Sequence, residues 1–394
     1  VIPCSPDFIA ALKNPIKQAY IKMEIFDSNM VFIEEITKQV TKDDIGKISI
    51  SVDRPIRRSF SFALNNTDGT FTWGDSGKLI WIDKRVKLYT GLKLPNGNIE
   101  YIPQGVFILS DPSDTHNLDK GKKTFLTGQD KAYLLSDNRG KIVNDLTITT
   151  GTNIASAIKT IANNAGETLY NFDSVSVVTP YELHYSAGES TWKIIKELAD
   201  LAICDIYYDV YGYLRLKLYN LNEIDQYPAV WTFKYNDPTE KFYAGNVRTL
   251  SVEQLANYIR VVGGSGQTAT VTYDLIVDET NPLWTGSPYS IQKLGKIVYM
   301  WNDGNPDPLI SDVISAKARA KFMLMKFLGY SEKVSLYISP ICLLDGNDVI
   351  EIEDSENNVT GKYRIVSFDL PIIPDLMTIE CIKHRQVLTD WNAI

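Results

Sequence analysis

Histidine, cysteine and long apolar runs are what this sequence has least of. Three histidines, His116, His184 and His384, are spread over 394 residues. No two lie close enough for a local metal motif, and none belongs to a His-Glu-x-x-His helix. Four cysteines, Cys4, Cys204, Cys342 and Cys381, stand singly, without the short spacing of a zinc or redox pair. A chain this long has no need of disulfides, so reduced thiols and assembly inside a cell are expected. No stretch approaches the ~20 apolar residues of a membrane span. Val1-Ile2-Pro3 lacks the basic start and apolar run of a secretory signal. The expectation is a soluble protein without membrane anchoring, which leaves a cell by lysis or within a particle. Basic charge is scarce too: 40 Lys and Arg against 48 Asp and Glu give a net charge of −8. That balance argues against a grip on nucleic acid that works by neutralising phosphates. Only Arg54, Arg57 and Arg58 cluster, interrupted by Pro55 and Ile56, and a solvated loop or a subunit contact is their expected role.

Catalytic signatures are equally thin. Gly74-Asp75-Ser76-Gly77 spells the nucleophile motif of trypsin-like proteases, whose general-base histidine precedes the serine in the chain. Here all three histidines follow Ser76, and Lys78 replaces the next glycine, so a polar turn is the reading. Gly264-Ser265-Gly266 lacks the Gly-x-Ser-x-Gly spacing of a hydrolase elbow. Asp303-Gly304-Asn305-Pro306-Asp307 and Asp345-Gly346-Asn347-Asp348 are rich in oxygen, yet neither carries the full series of a calcium loop with its distal Glu. Turn chemistry accounts for both. No glycine-rich phosphate loop occurs, and sequence spacing does not reveal a glycosidase carboxylate pair. We therefore expect no catalytic, cofactor-binding or metal-binding residue. The 22 tyrosines and 7 tryptophans suit sugar stacking and subunit interfaces alike.

What the chain does have is short strands in close succession. With 44% apolar and 22% charged residues it is a folded chain, long enough for two to four domains. Residues 5 to 14 read as a helix, with Ser5 as cap, Pro6 in the first turn and Pro15 as stop. Ile21, Met23 and Ile25 alternate, as do Ile48, Ile50 and Val52, and then Phe60, Phe62 and Leu64. The last run ends at the turn signal Asn65-Asn66-Thr67-Asp68-Gly69. Val86 and Leu88 open a strand, Pro95-Asn96-Gly97-Asn98 makes a loop, and Gly105 to Leu109 continue the sheet. Such spacing indicates a sandwich or barrel. Helices are expected at about 152 to 165, capped by Thr152, and at about 312 to 328, with Val313, Ala316, Ala320, Leu324 and Phe327 inward. Strands are expected around 258 to 262 and 270 to 273. Pro282, Pro288, Pro306 and Pro308 make 280 to 310 a loop-rich insertion.

The most informative stretch runs from Gly188-Glu189-Ser190-Thr191-Trp192 to Leu214-Arg215-Leu216-Lys217-Leu218. Ser190 caps a helix, and Ile194, Ile195, Leu198, Leu201 and Ala202 form one apolar stripe. The period then switches to two: Cys204, Ile206, Tyr208 and Val210 share a face, opposite Asp205 and Asp209. Tyr211-Gly212 turns the chain into a second strand, where Leu214, Leu216 and Leu218 alternate with Arg215 and Lys217. A second pattern lies further on, in Asp345-Gly346-Asn347-Asp348-Val349-Ile350-Glu351-Ile352, Gly361-Lys362-Tyr363-Arg364-Ile365-Val366-Ser367 and Met377-Thr378-Ile379-Glu380-Cys381. It echoes Val86-Lys87-Leu88 and Gly105-Val106-Phe107-Ile108. If Gly105 and Gly361 occupy equivalent turns at positive φ, valine at either should disturb the strand.

These segments resemble the baseplate hub proteins of long-tailed phages and related contractile injection systems. The resemblance implies a mainly β fold with α+β parts: two related β-barrel, tube-like domains with α/β peripheral domains. Mapped on this chain, it suggests an N-terminal helical arm over 1–18, a first barrel over 19–136 and an α+β helix-hairpin domain over 137–227. A β-rich segment with a loop-rich insertion and a helix follows over 228–330, partly belonging to the second barrel, whose C-terminal part is 331–394. The implied role is a non-enzymatic structural subunit of a virion tail. Three copies would form a ring that caps the distal tail tube, adapts sixfold to threefold symmetry and holds a spike or tip protein. Other implied partners are the tail tube or distal tail protein and the tape-measure protein, with DNA only in transit through a channel of acidic or neutral lining. Assembly would take place in the host cytoplasm. Two rival roles are a tail-associated cell-wall or polysaccharide hydrolase and a receptor- or carbohydrate-binding tail protein. The sequence stops at Trp391-Asn392-Ala393-Ile394, just after the barrel-like segment, which disfavours an appended lytic domain.

Overall fold

A computed structural model describes residues 1–40, 46–75, 77–117, 121–136, 139–179, 182–218, 224, 227–237, 242–251, 255–264, 269–328, 331–372 and 375–384. The chain is mainly β. Helix α1 (Pro6–Lys13) starts where expected, with the Ser5 side chain accepting from the Phe8 amide. Seven strands follow: β1 (Ala19–Phe26), β2 (Phe32–Gln39), β3 (Gly46–Ser51), β4 (Arg58–Asn65), β5 (Arg85–Lys93), β6 (Ile99–Asn117) and β7 (Gly121–Asp130). They pair antiparallel in the order β3-β4-β7-β6-β5-β1-β2. Pro103 lies inside β6, and at that point the register to β5 shifts between Leu88 and Tyr89. A residue without an N–H is tolerated where the ladder is already broken.

The next unit contains α2 (Ala132–Leu135), β8 (Leu146–Ile148), α3 (Ile154–Asn164), β9 (Tyr170–Phe172), β10 (Leu183–Tyr185), α4 (Thr191–Leu201), β11 (Cys204–Tyr208) and β12 (Leu214–Leu218). The cap of α3 is Asn153, whose side chain accepts from the Ser156 amide. Thr152, one residue short of that role, instead donates to the Thr149 carbonyl. Helix α4 matches its expected cap and stripe: Ser190 accepts from the Lys193 amide, and Ile194, Ile195 and Leu198 are buried. They pack with α3 and β11 in a core of their own. Leu218 departs from its alternation. It is exposed, because the parallel partner β9 reaches only as far as Leu216.

The chain then enters β13 (Trp231–Lys234) and β14 (Tyr243–Ser251). A small unit follows, of β15 (Tyr258–Gly263), β16 (Val271–Ile276), α5 (Ile291–Leu294), β17 (Val298–Met300) and α6 (Val313–Phe327). Its sheet runs β16-β15-β17 and packs its own core against α6. Asp312 caps α6 by accepting from the Ser315 amide. Val313, expected inward, is exposed, and the buried face is Ala316, Arg319, Ala320, Met323, Leu324 and Phe327. The first turn of α6 therefore stands clear of the sheet. Strands β18 (Ser331–Ile338), β19 (Val349–Asp354), β20 (Val359–Pro371) and β21 (Met377–His384) complete the described chain.

The second β half runs β14-β18-β21-β20-β19-β13. Its end strands approach each other at two aromatic pairs, Trp231 with Phe242 and Tyr235 with Tyr243, with centroids 5.2 and 6.2 Å apart. Strand β20 also pairs with β3, Phe368 opposite Ile50 and Leu370 opposite Ile48. The two halves are thereby one 13-stranded sheet around one shared apolar core.

Candidate assembly interface

The two halves repeat one plan. In each, an edge strand (β3 or β14) leads to a second strand (β4 or β18), then to the last, middle and first strands of a meander (β7-β6-β5 or β21-β20-β19). The echo in the sequence falls on the same place in both meanders. Leu88 lies opposite Gly105, and Ile352 lies opposite Gly361. Both glycines have positive φ, 152° and 103°. Two residues on, Phe107 and Tyr363 are both buried, and past them both middle strands carry a bulge, between Ser110 and Ser113 and between Ile365 and Ser367. A Cβ on Gly361 would stand 2.7 Å from Lys383 Nζ, and one on Gly105 2.7 Å from the Phe107 ring. Gly105→Val should cost about 1–3 kcal/mol from backbone strain, and more than Gly361→Val, since a buried ring yields less readily than a lysine tip. Urea midpoints of the two variants check the order.

The same position is filled differently in each half. Phe107 packs edge-on against Phe60 of β4, centroids 5.0 Å apart. Tyr363 instead donates to Glu332 of β18 at 2.6 Å, and Arg248 of β14 holds that carboxylate with two bonds of 2.9 and 3.1 Å. Burial works against ionisation of Glu332, but the hydrogen bonds from Arg248 and Tyr363 outweigh it and hold the carboxyl below its ordinary range. Glu332→Phe should cost about 1–3 kcal/mol, because the Tyr363 hydroxyl loses its buried acceptor. Adding Tyr363→Phe should restore most of that loss. A double-mutant cycle by urea unfolding measures the coupling.

A buried polar knot fixes the halves to each other and to the α+β unit. Arg58 is 1% exposed. Its backbone amide donates to Asp130 at 2.9 Å, its guanidinium to the Gln104 carbonyl at 3.3 Å, and also to Asp345 of the second half. Gln104, the extra residue at the β5–β6 register shift, donates to the Cys342 carbonyl at 3.0 Å. Arg57 donates to Asp205 of β11 at 2.5 Å and lies 3.8 Å over the Tyr207 ring. Asn347 reaches the same Asp205 at 3.0 Å. The Trp192 indole donates to the Pro55 carbonyl at 2.9 Å and stacks on Tyr208. Arg57 and Arg58 are thus an internal clamp rather than a solvated loop or a subunit contact; only Arg54 of the trio is exposed. Hydrophilicity marks an arginine as a surface residue until the fold brings carboxylates from residues 130, 205 and 345 around it.

Burial pushes the Asp130 carboxyl up to about 6, against the opposing pull of the Arg58 and Ala132 amides. Its folded value is above the unfolded one, so folding takes up a proton between about pH 4 and 6. Stability should therefore fall as pH rises through that window, by on the order of 1–3 kcal/mol. Asp130→Asn should flatten that part of the curve, as read from melting temperatures at pH 4, 5, 6 and 7.

The residues that invited a catalytic reading do not come together. Ser76, Ser265 and Gly266 lie outside the described residues, as does the side chain of His384. His116 is exposed on β6. His184 is exposed on β10, 3.0 Å from Glu182 and 3.1 Å from the Thr147 hydroxyl. Asp307 accepts from the Trp301 indole at 2.5 Å and the Leu309 amide at 2.8 Å, which is turn chemistry. Asp345 is committed to Arg58. Among the described residues no group of three His, Cys, Asp or Glu side chains is placed to hold a metal ion. No helix among them is long and apolar enough to cross a membrane.

No family model matches the chain, and no curated protein matches it in sequence. Solved structures do. A tail protein from Neisseria meningitidis MC58 superposes over 94% of this chain and 98% of its own, with a TM-score of 0.60 at 12% identity. The 43 kDa tail protein of prophage MuSo2 from Shewanella oneidensis covers 92% and 98%, with a TM-score of 0.59 at 11% identity. The fold is that of phage tail proteins. The tail-protein fold also matches a chain in the half-lidded Francisella PdpA–VgrG complex, over 95% of this chain and 59% of that one, with a TM-score of 0.54 at 9% identity. The mainly β, multidomain architecture expected from the hub resemblance is therefore present along nearly the whole length.

Proposed function

We propose that this chain is a structural hub subunit of a phage tail or tail-like particle and carries no catalytic activity. The observation that supports this most directly is the tail-protein fold over more than nine-tenths of the chain, joined to an internal repeat of its β halves. Three copies, two halves each, form a ring of six similar units that caps the distal tail tube. A sixfold tube thus meets a threefold spike or tip. The first and second halves correspond to the barrels assigned over 19–136 and, in part, over 228–394. The central opening passes tape-measure protein and DNA, and its acidic or neutral lining repels phosphate. The particle assembles in the host cytoplasm and ends in the virion. Rigidity is what the role demands, and the buried knot at Arg58 supplies a fixed angle between halves.

Light-scattering mass and negative-stain images test this, with the protein alone and mixed with the tail-tube and spike proteins of the same particle. A hollow threefold ring with the mass of three chains is expected. Single chains in both settings, or an elongated fibre, would overturn it. A low-salt DNA titration should show no micromolar binding. Incubation with cell walls and surface polysaccharides should release no sugar or peptide.

A further inference from the structure

A cleft of about 390 Å³ lies between the α+β unit and the small unit, a size typical of sites that enclose small molecules. Strand β10 and the last turns of α4 form one wall. The loop after β17 and Arg319 of α6 form the other. The cleft has no part in the knot at Arg58. Two charged groups in it are short of partners. Arg319 is 5% exposed, donates to the Asp200 carbonyl at 2.6 Å and lies 4.5 Å over the Trp301 ring. That single bond leaves most of its N–H groups without an acceptor among the described residues. Asp200 and Asp307 offset the burial of the guanidinium through space, yet no described carboxylate forms an ion pair with it. A buried charge so sparsely bonded is costly.

Asp200 is the converse case. Its carboxylate lines the cleft, accepts no hydrogen bond among the described residues, and is raised above its ordinary range by the protein around it. Glu197 lies one turn earlier on the same face of α4, is raised by the same cause and has Lys193 at 3.6 Å. Leu183, Pro308 and Leu309 supply apolar wall. This pattern of charge selects the ligand. An anion would be repelled by Glu182, Glu197, Asp200 and Asp307, and a cation would meet Arg319 where it is already desolvated. A neutral molecule that both donates and accepts suits both sides. Its hydroxyls donate to the carboxylates and accept from the guanidinium, while its C–H faces cover the apolar wall. Hydroxyls at that density on an apolar ring are the chemistry of a sugar.

We infer that this cleft binds a neutral saccharide, with Arg319 donating to its oxygens and Asp200 and Glu197 accepting from its hydroxyls. A site built to hydrogen-bond hydroxyls discriminates strongly against ligands that lack them. The inference concerns binding alone, and it does not depend on whether the chain forms a ring. The saccharide is either a unit of a surface glycan or a free sugar, and chain length separates the two.

The test is calorimetry and saturation-transfer NMR of the full chain with glucose, galactose, N-acetylglucosamine and the β-1,4-linked trimers of the first and third. At least one should bind with a millimolar Kd or tighter. A trimer that binds tighter than its monomer marks a glycan chain as the ligand, and equal affinities mark a free sugar. Arg319→Met keeps the aliphatic stem and should abolish binding. Because that change also removes the bond to the α4 carbonyl, Asp200→Ala with Glu197→Ala provides a second test. The double variant should keep its melting temperature and bind at least tenfold more weakly. Trp73→Ala, at an exposed tryptophan of the first β half, should bind as the unmodified protein does. No binding by any of the five sugars at tens of millimolar would overturn the inference. So would unchanged binding by the double variant, or tighter binding of trilysine or succinate than of any sugar.

Discussion

Replacing Arg58 with alanine should destabilise the protein by about 3–5 kcal/mol, the cost of breaking a buried ion pair from one side. The guanidinium is 1% exposed and bridges the first half, through the Gln104 carbonyl, to Asp345 of the second. Its loss also leaves Asp130 buried without the nearby positive charge that partly offsets its desolvation. Asp130 should then titrate still higher, and the acid-side rise in stability should steepen. Arg57→Ala should cost less, because its partner Asp205 keeps a hydrogen bond from Asn347 and Arg57 offsets the buried charge of Asp130 less than Arg58 does. Urea midpoints for the two variants at pH 7 give the comparison. Equal losses, or a smaller loss for Arg58, would remove it from the centre of the knot.

Trp192→Ala should cost a similar amount, about 3–5 kcal/mol, as for other buried large-to-small changes. The indole is buried in the core of the α+β unit and stacks on Tyr208. Its N–H is also the bond that ties that unit to the Pro55 loop of the first half. Trp192→Phe keeps most of the packing and should lose only about 1 kcal/mol for the missing hydrogen bond. Limited proteolysis separates the two effects. Phenylalanine should increase cutting at the Pro55 loop while the α+β unit stays resistant, and alanine should open both.

Local patterns carried much of this fold. The Ser190 cap, the stripe from Ile194 to Leu198 and the switch to period two at Cys204 are all short-range, and the structure repeats them. The Gly105 and Gly361 echo was legible because a glycine opposite a buried aliphatic residue leaves a trace in both sequence and ladder. Contacts between distant segments were not legible. Nothing near Arg58 in the chain announces Asp345, and the expectation of an exposed arginine follows from its neighbours alone. Val313 and Leu218 failed for a related reason, since periodicity tells which side a residue takes but not how far the covering element extends. The shared sheet escaped notice because β20 reads as one strand, while its two ends serve different partners.

That double service has a consequence for how the chain is made. The bond between Lys47 and Asp369 spans 322 positions, and the whole β3–β20 ladder closes a loop of that length. Until the ribosome has delivered β20, the edge of β3 has no internal partner, and Ile48 and Ile50 lack the strand that covers them. Contacts so distant in sequence form slowly, and an unpaired apolar edge is the form of chain most prone to aggregate. A nascent chain could therefore be captured by a finished one before its own β20 arrives, which would seal the wrong junction. Synthesis that keeps chains apart until residues 367–371 emerge would yield more rings, so slowing translation of the last strands should lower the recovered yield without altering the molecules that do assemble.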